Sequence, residues 1–176
     1  MRRFIVTLSD SLHTVARYAT IGALCVMFLT VMTQVLARYV FSSPPVWTED
    51  VARYMMVWTG LLGATLSFKT RTDAVLLDSV FPDRPSVLGT LAEAIRSAAI
   101  LCFTLPVLYF CFIGLRGGFA KGYLARQAGL TADTLGIQMV WIVSAVPLAI
   151  TVILIHLAAR WADDTPITTK SETEIQ

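Results

Sequence analysis

Apolar and polar positions in this chain alternate on a long scale rather than residue by residue. Four stretches, 18–37, 54–68, 97–115 and 138–157, contain no Asp, Glu, Lys or Arg, and polar segments separate them. Three of the runs approach the roughly 20 apolar residues that carry a helix across a hydrocarbon layer of ~30 Å; the second is shorter. With their flanks they predict spans at about 18–37, 48–68, 94–115 and 138–158. No remaining segment reaches the ~50 residues of an independent domain. The expected fold is therefore an all-α integral membrane protein: four transmembrane helices in one tilted bundle covering residues 1–176.

Two flanks add to this picture. Phe4, Leu8, Leu12 and Val15 recur at helical spacing, so residues 1–16 read either as an amphipathic helix on the membrane surface or as an extension of the first span. The polar residues 162–176 read as a disordered tail. Asp10, His13 and Arg17 interrupt the start of the chain, and Arg38 and Tyr39 follow the first apolar run where a cleavage site would show small residues, so the first span is expected to be retained.

The short second run makes its entrance the most informative segment. Its 15 uncharged residues rise only about 22 Å, less than the hydrocarbon thickness. Pro44 and Pro45 stop any preceding helix, Thr48 is placed to cap a new one, and Glu49 and Asp50 suit the positive end of its dipole. Glu49 and Arg53 stand four apart, acid first, which is the favourable order for an ion pair on one helix face. Trp47 suits an interfacial anchor. Charges held at membrane depth are usually paired and turned toward protein, so this end is expected to meet a partner. Gly60, Gly63 and Ala64 place small residues on one strip, which another helix of this chain or of a partner can approach closely.

The second loop holds a short amphipathic segment at 74–81 and then Pro82 and Pro85, the latter suited to an early start of the third helix. Pro106 and Pro147 fall near mid-span, where kinks are tolerated. Loop three carries Arg116, Lys121 and Arg126, and its glycines do not form a phosphate-binding pattern.

Composition narrows the function. The chain is 56% apolar and 15% charged, with a formal net charge of +2 and no basic run, so nucleic acid is not an expected partner. Four spans put both termini and loop two on one side with nine basic residues, against five in loops one and three; the positive-inside rule then makes both termini cytoplasmic. Cys25, Cys102 and Cys111 all lie in apolar runs without a C-x-x-C spacing and read as packing residues. No run contains an Asp, Glu, Lys or Arg of the kind that binds a charge on its way across a membrane. Only His13 and His156 could hold a haem, the first outside the runs, and no catalytic motif appears. A subunit that is not an enzyme and needs no cofactor or metal fits best. A stand-alone exporter and a haem-bearing anchor of a redox enzyme are the alternatives.

Leu36-Ala-Arg-Tyr-Val-Phe41, Trp47-Thr-Glu-Asp-Val-Ala-Arg-Tyr54, Trp58 and Gly63-Ala64 resemble the small membrane subunit of tripartite ATP-independent periplasmic (TRAP) transporters. Leu76-Leu-Asp78, Phe81-Pro82 and Thr134-Leu-Gly-Ile-Gln-Met-Val-Trp141 extend the likeness over most of 16–158. Asp50, Asp73 and Gln138 depart from the family pattern, which favours Glu, His and Pro there. The resemblance implies a scaffold subunit of a sodium-coupled symporter in a bacterial inner membrane. Its partners would be the bilayer, a large membrane subunit that carries the transport sites, and a periplasmic binding protein that delivers an organic acid such as a carboxylate or a sialic-acid-like compound. Arg38, Trp47, Glu49, Asp50, Arg53 and Trp58, with the Gly60, Gly63 and Ala64 strip, are the expected contacts to the large subunit. Arg116, Lys121 and Arg126 are the expected docking residues for the binding protein.

Overall fold

A computed structural model describes residues 2–70, 87–114, 118, 122–132 and 134–162. The segment at 74–81, Pro82, Pro85, Arg116, Lys121 and the tail beyond 162 lie outside the described residues. Among the described residues six helices follow in order: α1 Arg2–Tyr39, α2 Val46–Thr70, α3 Val87–Phe112, the short α4 Tyr123–Ala128 and α5 Val140–Val143, and α6 Ala145–Ala162.

α1 has 38 residues, which at 1.5 Å per residue is about 57 Å of unbroken helix. Residues 2–16 thus continue the first span as a single rod. α1 ends where Ser42 takes a left-handed backbone (φ 52°) and the Ser43 N–H donates to the Ala37 carbonyl at 3.2 Å. Two prolines follow, and α2 starts at Val46. Thr48 is therefore not the cap that its position suggested: it lies inside the first turn, fully buried, and its hydroxyl donates to the Pro45 carbonyl at 2.6 Å.

Among the described residues three stretches are long and apolar enough to cross a membrane: Ile5–Tyr39, Val87–Phe112 and Val140–Ala162. α2 matches them in length, about 37 Å for 25 residues, but Glu49, Asp50, Arg53 and Lys69, with glycines and threonines between, make it less apolar.

The last stretch is two helices rather than one. Pro147 has no N–H to offer the Val143 carbonyl, and the chain turns at Ser144, whose hydroxyl donates to the Trp141 carbonyl at 2.7 Å. The proline thus breaks the helix one turn before itself, near its start rather than in mid-span. Pro106 leaves α3 continuous.

α1 and α2 form an antiparallel pair, α6 packs against both, and α3 attaches to α6 and α4. The core centres on α6, with Ala145, Ala149, Ile150, Val152, Leu157 and Ala159 buried, joined by Ala16 and Leu62. Small side chains let backbones approach closely where lipid supplies no hydrophobic drive between helices. Three buried threonine hydroxyls are satisfied within their own helices: Thr30 donates to Val26, Thr65 to Leu62 and Thr104 to Ile100, each at 2.7 Å. Outside this core, Tyr18, Phe28, Leu29, Met56, Phe103 and Trp141 are among many large apolar side chains left exposed. A water-soluble monomer rarely exposes more than a few hundred Å² of contiguous apolar surface, so an apolar surround is required.

One glycine is fixed by space. A Cβ on Gly122, at the start of α4, would stand 2.2 Å from the Phe112 carbonyl oxygen and 2.6 Å from its carbon. Gly122→Ala is expected to push α4 off the end of α3, at a cost of about 1–3 kcal/mol as for other overpacking substitutions. A drop in melting temperature of the purified chain in detergent, absent in Gly60→Ala, is the readout.

Candidate partner-contact site

Arg38, Trp47, Glu49, Asp50 and Arg53 lie at the end of the bundle formed by the α1–α2 turn. Arg53 Nη2 meets Glu49 Oε1 at 2.8 Å, the pair expected from their spacing. Both side chains remain open, at 61% and 66% exposure. Asp50 behaves differently: at 19% side-chain exposure it lies 3.7 Å from Arg53 Nη1 and accepts a hydrogen bond from the Thr134 hydroxyl. Asp50 therefore ties α2 to a tight turn near α5, in which Thr131 bridges Gln138, the Ala132 N–H donates to Ile137 at 2.8 Å and Gly136 supplies a positive φ of 64°.

At 3.6 residues per turn, Glu49, Arg53, Met56, Gly60, Gly63 and Ala64 fall within about 100° of arc on α2. Met56 is 67% exposed, and a Cβ built at Gly60 or Gly63 would meet nothing within 4 Å. No other described part of this chain covers that stripe. Thr48, Leu62 and Thr65, all buried, mark the opposite face. Trp58 also lies on that opposite side and is half-buried, so it does not join the ion pair with which its motif grouped it. Trp47 is exposed at the start of α2 and Arg38 is exposed in the last turn of α1. Arg126 is exposed in the last turn of α4.

A second polar network, at the opposite end, escaped sequence reasoning. Asp10 of α1 pairs with Lys69 of α2 at 2.6 Å, and the neighbouring Ser9 hydroxyl lies 2.8 Å from Nδ1 of His156 on α6. Arg160 of α6 binds Glu93 of α3 at 3.2 Å, donates to the Phe68 carbonyl at 3.4 Å and stacks 4.9 Å above the Phe68 ring. Trp161 Nε1 donates to the Ser97 hydroxyl at 2.9 Å. These contacts join all four long helices. The one available signal was a pair of polar one-turn spacings, Glu93 with Ser97 and His156 with Arg160. The network also fixes the topology: the start of α1 and the end of α6 occupy the same end of the bundle.

Both clusters fasten helices together. Their ion pairs, carbonyl contacts and hydroxyl bonds position backbone. Residues 27–166 match the family model for the DctQ component of tripartite ATP-independent periplasmic transporters. The chain belongs to this family.

The DctQ assignment makes it a small permease component of a TRAP transporter, not an enzyme, and with its apolar helices a multi-pass membrane protein. Two relatives, both from Haemophilus influenzae, share parts of the sequence. The Sialic acid TRAP transporter permease protein SiaT is 28% identical over 122 residues, which is 69% of this chain and 18% of SiaT. A putative TRAP transporter small permease protein is 32% identical over 88 residues, 48% of this chain and 53% of that relative. The chain thus spans less than a fifth of the first relative's length and about half of the second's.

Proposed function

We propose that this DctQ chain braces the large membrane subunit of a TRAP importer through the exposed stripe of α2. The carrying observation is that one face, uncovered by other described parts of its own chain, combines a charged pair at the helix entrance with a strip of small residues. Counted back from Lys69 at one interface, ~30 Å of rise reaches Glu49, which puts the Glu49–Arg53 pair at the membrane edge. Charges there favour a protein surface over lipid. Gly60, Gly63 and Ala64 would admit the backbone of a partner helix at close range. Arg38 and Trp47 flank this contact; Asp50 and Trp58 support it from within, Asp50 through Thr134 and Trp58 by packing.

The wider role follows from the family and from the relatives' names. The small subunit would be one of four spanning helices' worth of scaffold in the bacterial inner membrane, with α2 as the fourth span and both termini cytoplasmic. Nine basic residues against five, and the shared location of the two terminal helix ends, support that orientation. Transport would be a sodium-coupled symport of an organic acid; SiaT is named for sialic acid. Arg116, Lys121 and Arg126, on the outer side in this orientation, would receive the periplasmic binding protein.

Glu49→Ala with Arg53→Ala tests the reading. An exposed i,i+4 pair contributes only about 0.3–0.5 kcal/mol to its own helix, so the purified chain should melt within a degree or two of the native one. Co-purification of the large subunit should fall several-fold, and uptake with it. Full uptake with an intact complex would count against the stripe as the contact.

A further inference from the structure

We propose that the first third of α1 is fastened to α6 by a proton-sensitive clasp built from His13 and His156. This goes beyond the scaffold role and does not depend on which partner α2 meets.

The two imidazoles come from different helices, and their ring centres stand 6.4 Å apart at an interplanar angle of 67°. His156 is 4% exposed. Its Nδ1 is engaged by the Ser9 hydroxyl at 2.8 Å, while its Nε2 and Nδ1 of His13 are buried without a hydrogen-bond partner among the described residues. Neutral rings can leave one nitrogen in such a setting at modest cost. A cationic ring needs acceptors at both nitrogens, and the closed clasp offers none for these two. Opening to water supplies them.

Among the surrounding charges Lys69 acts in the same direction on both rings and Arg17 on His13, while the Asp10 carboxylate acts more weakly against it. Asp10 and Arg17 of α1 and Lys69 of α2 are the charged groups nearest the pair, and α6 carries Arg160 one turn after His156. The Asp10 carboxylate is already bound to Lys69 at 2.6 Å, and Arg160 is bound to Glu93 of α3 at 3.2 Å. A proton on either histidine therefore adds positive charge beside Lys69 and Arg17 with no free carboxylate to receive it. If both rings are charged they also repel each other. The closed state binds fewer protons than the open one, so it holds above the ordinary histidine range near pH ~6.5 and is lost as pH falls through and below it. Release of Ser9 and His13 from His156 lets the start of α1 and the end of α6 part, while Asp10 keeps α1 on Lys69 of α2.

The test is a distance measurement on the full chain in nanodiscs. Spin labels go on cysteines placed at the exposed positions Ser11 of α1 and Ala158 of α6, in a background with Cys25, Cys102 and Cys111 replaced by alanine. At pH 8 a single short-distance population is expected; by pH 5 a longer one should hold at least half of the molecules. His13→Gln and His156→Gln should each reduce the opened fraction at pH 5 at least twofold. Helix content by circular dichroism identifies a variant that has failed to fold, and His13→Gln alone then decides. A distance distribution unchanged from pH 8 to pH 5, or opening in His13→Gln equal to that of the native chain, would overturn the clasp.

Discussion

Glu93→Ala is expected to destabilise the bundle by about 3 kcal/mol, the largest single-residue effect on folding in this chain. The Glu93 side chain is 10% exposed and meets Arg160, whose side chain is 12% exposed, at 3.2 Å; Arg96 approaches its other oxygen at 3.8 Å. Removing one partner of a buried pair leaves the other charge without compensation, which commonly costs 3–5 kcal/mol. The lower end applies because the pair lies near the end of the bundle, where a guanidinium can reach toward water, and because Arg160 keeps the Phe68 carbonyl and ring. Glu93→Leu combined with Arg160→Met removes both charges and should recover most of the loss. Melting curves of the native chain, Glu93→Leu, Arg160→Met and the double replacement in detergent give the coupling directly. Equal destabilisation by the single and double replacements would show that the pair does not fasten α3 to α6.

Gly60→Leu is expected to abolish uptake while leaving this chain folded. No described neighbour lies within 4 Å of a Cβ at that position and Gly60 is exposed, so a leucine there has room on this chain, and it propagates helix better than glycine does. A partner helix seated on the Gly60, Gly63 and Ala64 strip would instead meet a branched side chain where backbones had been in close contact. Loss of the large subunit on purification, with no fall in the melting temperature of the isolated chain, is the predicted combination. A stable complex with normal uptake would turn this face toward lipid.

Much of the architecture was legible in the pattern of charges. The uncharged runs located the four long described helices, and three of these are long and apolar enough to cross a hydrocarbon layer, which penalises unpaired charge heavily. The Glu49–Arg53 pair was legible for a different reason: one helical turn brings the two side chains together without help from the rest of the fold. The same spacing rule also placed Trp58 half a turn from Glu49, so its separation from the pair was readable although motif grouping suggested otherwise.

What stayed hidden depends on contacts between distant segments. Glu93 and Arg160 are 67 positions apart, Asp10 and Lys69 are 59, and no periodicity links them. The contact between Asp50 and Thr134 likewise requires the turn at 131–138, whose bridge is invisible until the chain has folded. The break at Ser144 was misplaced because a proline acts on the carbonyl four residues before it, so Pro147 disturbs the helix at Val143 rather than at its own position.

The most direct test of the central claim, that this chain is a bracing subunit and not a transporter by itself, is affinity purification of the tagged chain from native membranes in mild detergent. The account predicts that a much larger polytopic membrane protein accompanies it in fixed proportion, and that Gly60→Leu loses this companion. Recovery of the chain alone from membranes with full uptake activity would contradict it.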